Sequence, residues 1–333
     1  MRQVTINDRG IAGLAVTEAP DPTPGPYEVL IRMHSTSLNY RDLLTVQTAG
    51  AHQPGLVPNS CGAGTVIATG AGVTRVAEGD RVAPMFFQKW FAGPPTEAGL
   101  ASALGGSIDG CLRDLMVLHE DGITKIPDYM TFEEAATLPC AALTAWRGLM
   151  EEGRLRAGET VLVQGTGGVS VFALQFAKMA GAEVILTSSS DDKLERGKAL
   201  GADHTINYRT MPEWGAEVRG ITGGHGADHI VEVGGANTLQ QSIASVALYG
   251  HIHVIGVLGG FVNDVNVPAL FRANARIHGI TVGSRTMFEN MIRAMALHEM
   301  HPVIDRTFPM DQVQDAFTLM EQGGHFGKIV INF

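Results

Sequence analysis

From residue 159 the chain alternates short apolar runs with amphipathic ones, and few architectures accept such a rhythm. TVLVQ, EVILTS, DHTIN, DHIVEV and HIHVIGV read as strands. Between them GVSVFALQFAKMAG, DDKLERGKALG, PEWGAEVRGIT and TLQQSIASVA read as helices. Buried strands joined by helical crossovers predict a parallel sheet with helices on both faces. Between the first strand and the first helix stands Gly165-Thr166-Gly167-Gly168-Val169-Ser170. The first glycine permits a tight turn, and the second lets the backbone approach a pyrophosphate. Small Ser170 stands where a third glycine would let helix pack on strand. The helix N-terminus then favours phosphate charge. Gly165, Thr166, Gly167, Gly168 and Val169 are therefore candidate cofactor-binding residues. A purely structural turn is the rival, weakened by the further βα units that follow in order.

The end of the second strand bears on which dinucleotide is bound. An acidic residue there would hold ribose hydroxyls. This chain has Thr187-Ser188-Ser189-Ser190, followed by Lys193. Small hydroxyls at Ser188 and Ser189 leave room for a 2′-phosphate, and the Lys193 ammonium is near in sequence. Asp191 and Asp192 admit two readings. Either Ser190 caps a helix with two acids in its first turn, or Asp191 binds ribose and the cofactor is NAD(H). The expectation is NADP(H), with NAD(H) second.

A chain of 333 residues exceeds what one core usually serves. Residues 1–127 hold short extended segments punctuated by Gly, Pro and Asp, the pattern of a β-rich domain. PDPTPGPYEV reads as a rigid connector. Helical patterning begins near residue 128, with Thr131 and Glu134 as a capping box and Pro139 expected to break the run. The regular βα series runs to 267. Residues 268–333 break the rhythm and end in GKIVINF, a strand suited to return to the first domain.

Net charge is −10 and no run of Lys and Arg forms a basic stripe, so nucleic acid is not expected. The most apolar stretch is interrupted by Lys178, Gly181 and Glu183, too often to span a bilayer. The first sixteen residues lack an apolar signal-like stretch. The three cysteines, Cys61, Cys111 and Cys140, form neither a disulfide framework nor a CxxC pair. These features lead to the expectation of a cytoplasmic protein.

Asn39-Tyr40-Arg41-Asp42 sits between a strand-like run and Leu43-Leu44. Such a cluster makes a turn and a helix start, or lines a reaction centre. Arg41 and Asp42 read as structural, with Asp42 capping or pairing.

NYRD (39–42), PNSCGAG (58–64), LPCAALTAW (138–146), QGTGGVS (164–170), TSSSDDKL (187–194), LGADHTINY (200–208) and HFGKIVI (325–331) together resemble the medium-chain dehydrogenase/reductase superfamily, above all its zinc-independent quinone oxidoreductase-like branch, often labelled alcohol dehydrogenase-like. The resemblance implies an α/β protein in which a Rossmann doubly wound parallel sheet is inserted into a β-rich GroES-like catalytic domain, with a cleft between the two. It implies NADPH, since related NADPH users carry a Lys where Lys193 stands and a Tyr like Tyr208 near the 2′-phosphate. Thr144 matches a position that contacts nicotinamide. Gly234, Gly256, Val257, Val282, Gly283 and Lys328 complete the cofactor contacts the resemblance suggests. It also implies a homodimer paired through Rossmann-sheet edges around residues 276–284.

In zinc-dependent relatives three ligands hold a catalytic metal. The matching places here are Asn39, Ser60 and Cys140, a poor donor set for zinc. The loop that holds a structural zinc in relatives has only Cys111, so no zinc is expected. Hydrogen-bond donors must then stabilise the oxygen that gains charge, and Asn39 and Tyr40 are the candidate catalytic residues. A quinone or α,β-unsaturated carbonyl delocalises that charge and needs least help. The expected reaction is NADPH-dependent hydride transfer to such a small-molecule acceptor. The rivals are an alcohol or aldehyde dehydrogenase on the same fold, and a non-catalytic NADPH-binding sensor or structural protein. Phe86, Phe87, Trp90 and Phe91 read equally as pocket or core. His52 reads as a solvated loop residue rather than a proton donor, and His225, His229, His251 and His253 as solvated or satisfied structural groups.

Overall fold

The computed structural model describes residues 1–48, 55–260, 262 and 264–333. His52 lies outside the described residues. In chain order the strands are β1 (Arg2–Ile6), β2 (Leu14–Glu18), β3 (Glu28–Ser37), β4 (Cys61–Thr69), β5 (Arg81–Pro84), β6 (Leu115–His119), β7 (Ile123–Lys125), β8 (Thr160–Gln164), β9 (Glu183–Ser188), β10 (His204–Asn207), β11 (Ala227–Glu232), β12 (Val246–Val254), β13 (Arg276–Gly279), β14 (Ile304–Pro309) and β15 (Lys328–Asn332). They divide between two compact units, one of 144–281 and one built from 1–143 with 282–333.

In the first of these, six parallel strands lie in the order β10-β9-β8-β11-β12-β13. The chain runs outward from β8 to β10, then returns beside β8 and runs the other way. That reversal is the topological switch point at which α/β sheets bind ligands. All five residues of β8 are buried, as a strand covered on both faces requires. Leu162, Ile185, Ile230 and Ile252 form the centre of the core, packed with Trp214 and Val218. Burying each of these aliphatic side chains contributes roughly 1.5–3 kcal/mol.

The observed unit starts and ends later than the expected 128–267. Its far end is set by β13, which pairs with β12 from His251↔Arg276 to Val254↔Gly279 after the helix Val267–Ala273. An edge strand with Arg276, Ile277 and Gly279 exposed carries little apolar signal. At the near end the Thr131–Glu134 capping box is present, with Glu134 N donating to Thr131 Oγ1 at 3.2 Å and Thr131 N to Glu134 Oε2 at 2.9 Å. As expected, Pro139 marks a break: the helix Phe132–Ala135 ends short of it, with turn residues at 136–137. It occupies the first turn of a π-helical segment, Leu138–Ala142, where a missing N–H costs nothing.

The other unit holds a sheet in the order β14-β15-β3-β4-β5-β7, with β6 also on β3. GKIVINF does return: β15 pairs antiparallel with β3 at Val330↔Ser37 and Ile331↔Thr36. This pairing carries Lys328 to the end of β3, beside Leu38 and Asn39. Phe86, Phe87 and Trp90 are buried and pack ring against ring, whereas Phe91 is partly exposed under the Arg285 guanidinium. The first three are core of their loop.

The histidines of the parallel sheet are organised. β11, β12 and β13 bring His229, His251, His253 and His278 side by side. His229 Nε2 meets Glu159 Oε2 at 3.1 Å, and His229 Nδ1 meets His253 Nε2 at 3.3 Å. His251 Nδ1 meets His278 Nε2 at 3.3 Å, and Arg276 Nη1 meets His251 Nε2 at 3.1 Å. A carboxylate only accepts and a guanidinium only donates. Glu159 therefore places the His229 proton on Nε2, and His253 donates from its own Nε2. Arg276 likewise makes His251 the donor to His278. His253 Nδ1 is left buried with no partner. Burial holds His229 and His253 below the usual imidazole pKa and His251 down to about 4. His225 stands apart, exposed and paired with Asp228 at 2.9 Å.

Candidate active site

The NYRD cluster starts a helix, Tyr40–Gln47, with Asn39 as N-cap and Asp42 completing a capping box. Asn39 N donates to Asp42 Oδ2 at 2.8 Å. Ser60 N and Oγ donate to Asp42 Oδ1 at 3.2 and 3.0 Å. Asp42 is fully buried, as its structural reading requires. Burial pushes its carboxyl above the usual range, opposed by Arg41, the Asn39 and Ser60 hydrogen bonds and Lys328.

Around the cap lies a buried polar centre. The Asn39 amide Nδ2 faces Asp42 Oδ2 at 3.3 Å, Ser60 Oγ at 3.3 Å and Cys61 Sγ at 3.1 Å. Its Oδ1 accepts from Lys328 Nζ at 2.6 Å, and Lys328 also donates to the Leu38 carbonyl. The two amide hydrogens are thus already shared among three protein acceptors. As a donor to a ligand, the role expected from the sequence, Asn39 is spent; it positions the start of the helix. Tyr40, the next residue, is 40% exposed.

Lys328 is buried. Burial lowers its pKa, and the charges of Cys61, Cys140 and Asp42 oppose that shift. The Cys61 and Cys140 thiols are hydrogen-bonded to each other. Burial opposes ionisation of Cys61, but Cys140, Lys328 and the Asn39 amide outweigh it and hold the thiol below its ordinary pKa. Cys140 is pushed well up, first by that hydrogen bond and then by burial. Cys140 is partly exposed, while Cys61 is fully buried.

This donor set does not fit a catalytic zinc. The Asn39 oxygen is held by an ammonium, the Ser60 hydroxyl donates to Asp42, and the thiols bind each other. Lys328 adds a positive charge where a dication would have to sit. Among the described residues no group of three or more His, Cys, Asp or Glu is arranged to hold a metal.

At the C-terminal ends of the parallel strands the nucleotide residues gather. Gly165 has φ +71°, the left-handed region that disfavours any side chain. Its N–H donates to Thr187 O at 2.8 Å, tying the turn to β9. Gly167 caps the helix Gly168–Met179, and the space before its missing side chain is open. Buried Ser170 donates to Gln164 O at 2.7 Å, which packs helix on strand. An open cradle at a helix N-terminus fits a pyrophosphate.

Asn207↔Ser188 pairing brings the ends of β9 and β10 together, so Ser188, Ser189, Lys193 and Tyr208 share one end of the sheet. Tyr208 N donates to Ser188 O at 3.1 Å, and Tyr208 is exposed. Ser190 caps the helix Asp191–Ala199, and Asn207 Nδ2 donates to Asp191 Oδ1 at 2.7 Å. Asp191, though exposed, thus has one carboxylate oxygen bonded to Asn207 and stands in the first turn of the helix.

Sequence reasoning missed Glu232, at the end of β11 beside the switch point. Fully buried, it accepts from Gly234 N and Gly235 N at 2.9 Å, from Gln164 Nε2 at 2.8 Å, and from Thr238 and Ser242 hydroxyls. It shapes the turn that bears Gly234. At Gly256 an added Cβ would lie 2.2 Å from Val233 O, so only glycine fits. Val257 follows on the same loop, Thr144 is buried at the start of the nucleotide unit, and Val282 takes φ +49°, an outlier for a β-branched residue. At the next position, Gly283, an added Cβ would come within 3.0 Å of Leu143.

Two family models match the chain. "Alcohol dehydrogenase GroES-like domain" covers residues 25–128 and "Zinc-binding dehydrogenase" covers 168–297. A zinc-type alcohol dehydrogenase-like protein of Schizosaccharomyces pombe is 44% identical over 92% of this chain and 91% of its own length. A crystal structure of a putative alcohol dehydrogenase from Sinorhizobium meliloti matches with a TM-score of 0.94 and 42% identity, covering 100% of this chain and 98% of that one. A structure described as an NAD-dependent alcohol dehydrogenase matches with a TM-score of 0.90 and 34% identity over the full length of both chains.

Proposed function

The chain belongs to the medium-chain dehydrogenase/reductase superfamily, and on that premise we propose that it is a zinc-independent, NADPH-dependent oxidoreductase that reduces a quinone or an α,β-unsaturated carbonyl. A nicotinamide-linked oxidoreductase follows from the family. The finer reading rests on one observation, the buried Lys328 ammonium 2.6 Å from Asn39 Oδ1 among residues that do not form a zinc set. Without a Lewis acid, oxidation of an unactivated alcohol is the harder reaction, and a conjugated acceptor the easier one.

NADPH, when bound, supplies the hydride. The glycine turn and the N-terminus of the helix Gly168–Met179 hold its pyrophosphate through backbone N–H groups. Lys193 and the hydroxyls of Ser188, Ser189 and Tyr208 receive the 2′-phosphate; an ammonium there favours the phosphorylated cofactor. Tyr40, partly exposed, offers its hydroxyl for the acceptor oxygen. Lys328 supplies a fixed positive charge behind it, in a low-dielectric setting where that charge counts for more.

The competing reading is an alcohol dehydrogenase, the activity in the names of the relatives. A panel with both cofactors separates them. NADPH oxidation with a 1,4-quinone and an enone is expected. Turnover only with alcohols and NAD⁺ or NADP⁺ would overturn the proposal, and tight NADPH binding with no turnover would mark a sensor.

We further propose a homodimer through the edge of the parallel sheet. β13 has one strand partner among the described residues, and exposed Ile277 and Phe271 lie on or just before it. Ile277→Lys should yield monomers in sedimentation. A cytoplasmic location suits three cysteines that form no disulfide. Among the described residues no helix is long and apolar enough to cross a membrane.

A further inference from the structure

All three cysteines of the chain fall in the same catalytic unit, and two of them touch. Cys61 ends up beside Cys140 because β4 begins where the capped turn at Asn39 ends and the π-helical segment Leu138–Ala142 packs against β4. The pair does not stand alone. Asn39 Nδ2 donates to Cys61 Sγ at 3.1 Å, and Lys328, whose ammonium holds Asn39 Oδ1 at 2.6 Å, lies close enough to act on both sulfurs. Cys111 is buried nearby: a Cβ on Gly62, the neighbour of Cys61, would come within 3.0 Å of the Cys111 Cβ. Cys61 is fully buried and Cys140 partly exposed, so Cys140 is the less enclosed residue of the pair.

We propose that Cys61 and Cys140 are a reversible, peroxide-sensitive dithiol that closes to a disulfide at the centre of the active site. Two hydrogen-bonded thiols beside a fixed cation are the setting in which one sulfur is available as the thiolate nucleophile. That sulfur attacks a peroxide oxygen, the O–O bond breaks, and hydroxide leaves, giving a sulfenic acid. The second sulfur attacks the first, the S–O bond breaks, and the oxygen departs as water. Two thiols lose two electrons and two protons, and one hydrogen peroxide becomes two waters. A dithiol reductant reverses the change by exchange.

Closure has a stated consequence for this site. In a disulfide neither sulfur can ionise beside Lys328, and Cys61 Sγ is a poorer acceptor for Asn39 Nδ2. The capped turn bearing Tyr40 is then no longer held as before, so oxidation switches turnover off.

The test uses the full-length protein treated with hydrogen peroxide and unfolded before thiol counting. Free thiols should fall from the three of the sequence to one, with a peptide joining Cys61 to Cys140 by mass spectrometry. Activity with the enzyme's acceptor should fall in parallel and return with dithiothreitol. Cys61→Ser and Cys140→Ser should each abolish the cross-link, whereas Cys111→Ser should leave it intact. Three outcomes would overturn the proposal: no cross-link at any peroxide dose, a cross-link to Cys111, or the same dithiothreitol-reversible loss in Cys140→Ser. Thiol count and cross-link are read without turnover, so their result stands apart from the cofactor and acceptor assignments above.

Discussion

Lowering the pH should weaken the parallel-sheet unit through its histidine ladder. Burial depresses the pKa of His229, His253 and His251, the last to about 4 from an ordinary 6.5. Glu159 and Asp228 pull the His229 value back up, whereas Arg276 and the neighbouring rings push His251 further down. The sign follows from linkage. Below about pH 6.5 the unfolded chain binds protons that the folded chain refuses, so stability is complete above that pH and falls as pH drops toward the folded values. One refused proton costs about 1.4 kcal/mol per pH unit, so three set a ceiling near 4 kcal/mol per unit. His251 is partly exposed and solvent screens its share. A loss of about 1–3 kcal/mol between pH 7 and pH 5 is therefore expected. Urea denaturation across that range measures it. In the double variant His251→Gln/His253→Gln, glutamine keeps a donor and an acceptor but does not titrate. It should lose most of the pH dependence, while every other group cancels in the comparison. Equal slopes in the two proteins would refute the reasoning.

Four further perturbations test the site. Lys193→Ala should weaken NADPH by about 10–100-fold, the worth of one charge-assisted hydrogen bond, and leave NADH nearly unchanged; equal loss for both cofactors in a binding titration would return Asp191 to the ribose. Gly165→Ala forces a side chain onto φ +71°. It should cost about 1–2 kcal/mol in chemical denaturation and weaken either cofactor alike. Asp42→Asn turns one of the two buried acceptor oxygens into a donor facing N–H or O–H groups, and should destabilise the catalytic unit by about 3–5 kcal/mol. Metal analysis of active protein should find no stoichiometric zinc, and turnover should survive prolonged chelation; one tightly held zinc per chain would sink the metal-free assignment.

How much of this was legible beforehand follows the range of the interactions. β8 and β9 fall where TVLVQ and EVILTS stand, because strands covered on both faces must be apolar throughout. The glycine turn was legible for a local reason, since φ and helix capping depend on neighbours in sequence. The Thr131–Glu134 and Asn39–Asp42 caps are local too, and the structural reading of Asp42 holds. The break at Pro139 was legible for a local reason as well, since proline lacks an N–H and restricts the residue before it. β13 escaped the periodicity, because a polar edge strand is recognisable only by the strand it pairs with; the resemblance alone put a sheet edge at 276–284.

Tertiary structure alone decided the polar centre. Asn39 and Lys328 are 289 residues apart and meet only because β15 returns to lie beside β3. That meeting spends the Asn39 amide inside the protein and gives the centre its buried cation. Cys61 and Cys140 become partners, and four histidines from three strands become two hydrogen-bonded pairs stacked ring on ring, by the same kind of closure. Periodicity and turn chemistry act within a few residues, so the chain by itself determined its alternating sheet, its glycine turn and its family. Which side chain spends its hydrogen bonds on which depends on contacts that loop closure brings together late, and only the folded molecule states them.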